Sequence, residues 1–323
     1  MRRFGLHGSQ PDALLQLAIL GVGCGLLAGA VMIAFRMLVE SLQGAFLPGG
    51  DPEAYEALSA ALRFALPAAG GLVVGVAFQL MPREARDVRP AHVLERLQRG
   101  GARLPFANAL AQFGGAALSI VAGHSVGREG PAIHLGASVG SLGGRYFELP
   151  EGSLRVMAAG GVAAAIAASF NTPLAGVVFA MEVMAVGYSV MGFAPVILAA
   201  VSATALNRLV YGADPAFAVP ALVAGAWLAP QLASSSGFYA LLGMGAMMGG
   251  TLHAPLAALT AMLELTGNPN ILWPGMLAVI AAYFTSRQLF RRAPVFEALL
   301  KARAPAQGEA DAAPSRARSA RGS

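Results

Sequence analysis

The sequence predicts an all-α protein held in a membrane by many short, broken and re-entrant helices, and three observations carry that prediction. Of 323 residues, 56% are hydrophobic and 12% charged, with 40 glycines, whereas a soluble domain carries about 25% charged residues. The mean hydropathy is +0.61. Apolar segments recur along the chain, most of them interrupted by glycine or proline, and one long motif occurs twice. A polytopic membrane protein with internally repeated architecture follows.

The first segment, Ala13 to Phe35, runs 23 residues with Gln16 as its one strongly polar side chain. That is enough to cross a hydrocarbon core of about 30 Å. It is too long and too rich in glycine for a cleaved signal, and no small-residue cleavage site follows, so it is expected to stay in the mature protein. Gly21, Gly25 and Gly29 are spaced by four and would let a neighbouring helix approach closely. Cys24 is the single cysteine, which leaves no intramolecular disulfide and no cysteine-based metal site.

Further apolar segments follow at Ala57–Met81, Phe106–Ala122, Gly130–Phe147, Leu154–Ala168, Leu174–Val186, Phe193–Leu209, Ala218–Leu232, Tyr239–Leu252, Leu256–Leu265 and Ile271–Phe284. Many are too short to span a bilayer straight. Such helices are tolerated where the broken backbone is buried in protein or lines a wet cavity, the situation in transporters and channels. Trp227 and Trp273 suit anchoring at the membrane interface.

The net charge of +5 is carried at segment ends and in the tail rather than on one face, which fits a membrane rim and not nucleic acid. Arg2 and Arg3 precede the first segment, and Arg287, Arg291, Arg292, Lys301 and Arg303 follow the last. Both termini are therefore expected in the cytoplasm, with an even number of crossings. From Ala304 to Ser323 the chain is polar and without periodicity, and is expected to be a disordered tail.

The repeated motif reads "GVAAAIAASFNTPLAGVVFAMEV" at 161–183 and "GMGAMMGGTLHAPLAALTAMLEL" at 243–265, aligned without gaps at an offset of 82 residues. Pro173 matches Pro255 and Glu182 matches Glu264. Repeats of this kind are the trace of paired half-domains with the site at their interface. His253 stands where the first copy has Asn171 and is expected to satisfy helix-end carbonyls.

The stretch "GHSVGREGPAIHLG" at 123–136 sets an arginine, a glutamate and two histidines among apolar residues. Gly127 and Gly130 free the backbone, and Pro131 suits a first helical turn. A helix N-terminus placed there is an anion site made of unpaired N–H groups and the positive end of the helix dipole. An ionised Glu129 would occupy that site itself, and a protonated one would swing aside and leave it to a mobile anion. The plainer role is a helix cap paired with Arg128. Intramembrane carboxylates are costly enough that function is the default reading. His124 and His134 flank the loop without metal-ligand spacing and read as polar packing. No phosphate-binding loop, zinc pattern or nucleophile elbow occurs, so no cofactor is expected. An enzyme using Glu129 and His124 as acid and base would lack a nucleophile or metal.

"GREGP" followed by "FNTPLAGVVFAMEV", then "GMGAMMGGTLHAPLAALTAMLELTGN" and "APVFEALL", resembles the CLC family of chloride channels and chloride/proton antiporters. The resemblance implies inverted repeats, with a first repeat over about 13–212 and a partial second over about 218–303, and a pore within each subunit of a homodimer. It implies a multi-pass protein of the inner cell membrane that moves chloride or a similar small anion. Glu129 matches the gating glutamate, and Gly127, Arg128 and Gly130 match the anion-coordinating loop. Phe296 falls at the family's late anion-binding tyrosine and lacks its hydroxyl. The early serine loop would fall at "DVRPAHV", 87–93, which has no serine. Val183 stands at the antiporters' proton-delivering glutamate, so passive or weakly coupled transport is expected. Only about 55 residues separate Val186 from the Gly243 motif, and the second anion loop is missing from them. Phe193-Ala194-Pro195 imitates it but falls where an ordinary helix is expected. A non-conducting remnant of the family, or a proton-coupled anion antiporter, is the alternative.

Overall fold

A computed structural model describes residues 10–52, 54–99, 101–184, 190–212 and 236–299. The segment Ala218–Leu232 with Trp227, the tail from Ala304, and Arg2, Arg3, Lys301 and Arg303 lie outside those residues. The described chain is helical throughout: α1 (Gln10–Phe46), α2 (Ala60–Leu80), α3 (Pro90–Gln98), α4 (Phe106–Val121), α5 (Glu129–Tyr146), α6 (Glu151–Phe170), α7 (Pro173–Val183), α8 (Val190–Tyr211), α9 (Ser236–Leu252), α10 (Pro255–Thr266) and α11 (Leu272–Phe284). Four stretches, Leu14–Phe46, Ala60–Leu80, Glu151–Phe170 and Gly192–Tyr211, are long and apolar enough to cross a membrane. The rest are short, as the glycine and proline interruptions require.

The centre of the fold is α6, whose residues Ala158, Ala159 and Val162 to Ala165 are fully buried. It packs against α1, α5, α7 and α8. Small residues make this possible. A Cβ on Gly136 or Gly140 of α5 would collide with the Gly161 or Met157 carbonyl of α6, and one on Gly176 of α7 would collide with the Ala163 carbonyl. The four-residue glycine spacing of α1 acts as expected: Gly21, Gly25 and Gly29 face Pro195, Ala199 and Ala203 of α8, which repeat at the same spacing. Helix backbones in direct contact gain dispersion energy over their whole length, the main attraction left where lipid is as apolar as leucine. Phe193-Ala194-Pro195 lies inside α8, with Pro195 against Gly21, and so forms helix rather than loop.

The internal repeat is visible in three dimensions. Asn171 and His253 both end a helix in the left-handed region at φ 57°, and Pro173 and Pro255 both start the next helix. The new helix ends are capped across the repeat. Leu174 N–H and Ala175 N–H donate to the Glu264 carboxylate at 2.7 and 2.6 Å, while Leu256 N–H and Ala257 N–H donate to Glu182 at 3.2 and 2.8 Å. Each glutamate near one helix C-terminus thus satisfies the orphan donors of the other's N-terminus, so α7 and α10 run antiparallel, the relation an inverted repeat requires. His253 reaches Ser286 Oγ at 3.3 Å and the edge of the Tyr283 ring, not the helix-end carbonyls expected of it.

The region 87–93, where the family's serine loop would fall, runs into a helix. Pro90 starts α3, whose residues Ala91, His92, Val93, Leu94 and Leu97 are buried. Nine residues that include Glu95, Arg96 and Gln98 give little hydropathy signal, yet the apolar ones share one face.

Candidate functional site

Glu129 is the first residue of α5, with Arg128 as its N-cap and Ala132 N–H donating to the Arg128 carbonyl at 3.0 Å. Pro131, two residues in, has no N–H to leave unpaired. Arg128 makes no side-chain capping bond. Among the described residues, ion pairs join Arg36 to Glu40, Arg89 to Asp87 and Arg155 to Glu151, but none joins Arg128 to Glu129. The Glu129 carboxylate instead folds back over Gly127, where any Cβ would strike its Oε2. A side chain at 127 would displace the carboxylate from this position. The carboxylate stays exposed while the next turns of the helix, from Pro131 to Ser138, are buried. Gly130 faces Pro90, the first residue of α3, with 3.8 Å between Pro90 Cγ and a Cβ built on the glycine.

The root of the loop is anchored by Tyr55, a residue without a motif in the sequence. Its hydroxyl lies 3.0 and 2.9 Å from the Ile120 and Val121 carbonyls and accepts from Gln43 Nε2 at 3.1 Å. Its ring covers Gly123, which turns the chain at φ 79°. His124 holds the Ser119 carbonyl through Nδ1 at 3.0 Å, as polar packing.

Phe296 lies elsewhere. Half-buried against the central core, it lines a cavity of about 400 Å³ with Leu94, Val183, Glu182 and His253. Two expected departures from the family pattern, Val183 and Phe296, thus meet in one cavity, and Glu129 is not among its lining residues. The link is α3: Pro90 sits beside Gly130 at one end, and Leu94, Gln98 and Arg99 reach the cavity at the other. A nine-residue helix is about 13 Å long. The Glu129 loop and this cavity therefore lie about one short helix apart.

Ahead of α3, where the serine loop was expected, Asp87 pairs with Arg89 at 3.2 Å. Asn108 of α4 pins this turn by donating from Nδ2 to the Glu84 and Asp87 carbonyls at 2.8 and 2.9 Å. A carboxylate rather than a hydroxyl stands there, already engaged by a cation.

A family profile described as Voltage gated chloride channel matches residues 70–229 and 219–287. The chain belongs to this family. A putative chloride channel protein ClcB-like from Ralstonia nicotianae is 33% identical over 218 residues, 63% of this chain and 49% of that protein. The voltage-gated ClC-type chloride channel ClcB of Salmonella dublin is 32% identical over 196 residues, 59% of this chain and 46% of that protein. The chain thus spans about half the length of the curated relatives it matches. A crystal structure of a slow cyanobacterial Cl⁻/H⁺ antiporter aligns with a TM-score of 0.70 at 19% identity, over 91% of this chain and 98% of that one. The shared fold is that of the voltage gated chloride channels: polytopic, all-helical and built on broken apolar helices.

Proposed function

We propose that the chain provides a glutamate-gated pathway for passive or weakly coupled movement of chloride or a similar small anion. The observation that carries this reading is Glu129: a carboxylate at a buried helix's N-terminus, without an ion pair among the described residues, folded back over Gly127. A negative group in that position competes with an anion for the same N–H groups and dipole. In this reading Gly127, Arg128 and Gly130 shape the outer anion site and Phe296 borders the inner one.

Weak coupling is favoured by the inner cavity. Val183 carries no proton, and the neighbouring acid Glu182 has both carboxylate oxygens engaged by the α10 N-terminus, so it is a fixed cap rather than a mobile carrier. We further propose a membrane-embedded domain over 1–303, with repeats over about 13–212 and 218–303, in a lipid-embedded homodimer of the inner membrane with both termini in the cytoplasm.

The test is chloride efflux from proteoliposomes. Removing a carboxylate that a helix N-terminus stabilises by about 1 kcal/mol is expected to raise flux about fivefold in Glu129→Gln and Glu129→Ala and to flatten its pH dependence. Unchanged flux and pH response in both variants would sink the gate assignment. A non-conducting remnant is the second reading, favoured by the half-length match and by the carboxylate of Asp87 at the expected hydroxyl loop. It predicts no efflux in any of the three proteins.

A further inference from the structure

The two ends of α2 carry matching arginines. Arg63 donates from Nε to the Leu58 carbonyl at 2.9 Å and from Nη2 to the Glu56 carbonyl. Arg86 donates from Nε to the Met81 carbonyl at 2.8 Å and from Nη2 to the Gln79 carbonyl. Between them the helix exposes Leu62, Phe64, Leu72, Val73, Val76 and Leu80, and Gly70 is its one buried residue. Its 21 residues rise about 32 Å, close to the hydrocarbon thickness of about 30 Å. An exposed apolar helix of that length, bounded by two fixed guanidinium groups, faces lipid, with Arg63 and Arg86 at the two headgroup levels.

At the level of Arg63, a cavity of about 460 Å³ is lined by Arg63, Glu56, Pro67, Tyr55, Gly123 and His124, among others. That volume is within the range of small-molecule sites, about 300–1,000 Å³. Its polar groups are of two kinds. Of the five N–H donors of Arg63, two hold carbonyls and three remain. The acceptors are the Glu56 carboxylate, the Arg63 carbonyl and His124 Nε2. Pro67 has no N–H, so the Arg63 carbonyl, four residues earlier, lacks its helical donor. His124 Nδ1 lies 3.0 Å from the Ser119 carbonyl. A carbonyl only accepts, so Nδ1 carries the ring proton and the lone pair of the neutral ring is at Nε2.

Arg63 and Glu56 line the same cavity, yet neither enters an ion pair among the described residues. A cation and an anion arranged in this way select a ligand that carries both charges. Three donors on a guanidinium match the oxygens of a phosphate, and three acceptors match the N–H groups of a primary ammonium. Phosphoethanolamine has both, whereas choline has no N–H and phosphoglycerol has no cation. The exposed face of α2 beside the cavity suits acyl chains, which makes the source a lipid rather than a soluble molecule.

We propose that this cavity holds the headgroup of a membrane phospholipid with a primary ammonium, its phosphate on Arg63 and its ammonium on Glu56, and that an occupied cavity steadies the loop that presents Glu129. The connection is short: Gly123 and His124 line the cavity, and Glu129 is five residues beyond His124. The effect on the loop rests on the pathway reading above, whereas the lipid site does not.

Lipid retention by the full chain tests the site. The purified protein in detergent is titrated with dioleoyl phosphatidylethanolamine, phosphatidylcholine or phosphatidylglycerol, and bound lipid is counted by native mass spectrometry. Phosphatidylethanolamine is expected to bind about tenfold more tightly than either of the others, the scale of a hydrogen bond to a charged group. Glu56→Gln keeps the backbone carbonyl that holds Arg63 and is expected to abolish the preference. Equal retention of the three lipids by the unaltered chain, or a preference that survives in Glu56→Gln, overturns the site. Displacement of the lipid by an equal concentration of glycerophosphoethanolamine, which has the headgroup without acyl chains, overturns the lipid as its source. Chloride efflux tests the loop. A steadied loop keeps Glu129 over the helix end, so efflux is expected to be about threefold lower from vesicles of phosphatidylglycerol with phosphatidylethanolamine than with phosphatidylcholine, and equal in the two for Glu56→Gln. Efflux that ignores the headgroup, or a lipid dependence that persists in Glu56→Gln, overturns the effect on the loop and leaves the site standing. Absence of efflux from both proteins in both lipids sinks the pathway reading and the loop effect with it, and lipid retention then decides the site alone.

Discussion

Glu182 and Glu264 show how much one residue type accomplishes when a helix end faces it. A carboxylate accepts two N–H bonds with two equivalent oxygens, and glutamine offers one oxygen and turns an NH₂ toward the second donor. Glu182→Gln and Glu264→Gln are therefore each expected to lower stability by about 2 kcal/mol, the scale of a lost bond to a charged group. Thermal unfolding in detergent measures this. The two caps share one helix pair, so their effects in the double variant should not add; strict additivity would show that the caps act independently. The sequence marked both glutamates as matched positions but not what they touch, because reciprocity is a property of the folded pair. His134 was legible only as polar packing for a related reason: the stack of its ring on His92 depends on where α3 packs.

At the scale of elements, hydropathy located every long helix. The interruptions by glycine and proline fell at true helix ends near Gly123, Gly130 and Pro173, but inside helices at Pro67 and Pro195. What escaped was α3, since a helix of nine residues with three charged or amide side chains has no apolar run to betray it. The glycine spacing in α1 was read correctly because close backbone approach leaves a period in the sequence. Gly25→Leu should separate α1 from α8 and destabilise by about 3 kcal/mol, the upper range of overpacking. Gly23→Leu is the control within the same helix, since a Cβ there meets nothing within 4 Å. Equal losses from the two substitutions would show that the close approach of α8 at Gly25 does not govern this seam, since leucine is the better helix former at both positions.

For the whole molecule, the halves meet chiefly through α7 and α10 among the described residues, and the chain spans about half of its curated relatives. One helix N-terminus supplies only about half an elementary charge to replace an anion's lost water. Grafting the central helices of the Ralstonia relative between 212 and 236 is therefore expected to raise chloride efflux at matched protein by about tenfold, equivalent to 1.4 kcal/mol of added anion stabilisation. Equal rates would mean that the short form closes its own pathway.

The crossed caps also set a timetable for synthesis. The N–H groups of Leu174 and Ala175 wait for Glu264, which lies 90 residues beyond Leu174. At ribosomal speed that is an interval of about 5 to 20 s. During it α7 enters the membrane with its first donors unpaired, and Glu182 enters as an acid with no helix to cap. The first half is thus held provisional until the second emerges, and a chain stalled before residue 264 presents the quality-control machinery with an open helix end rather than a finished half.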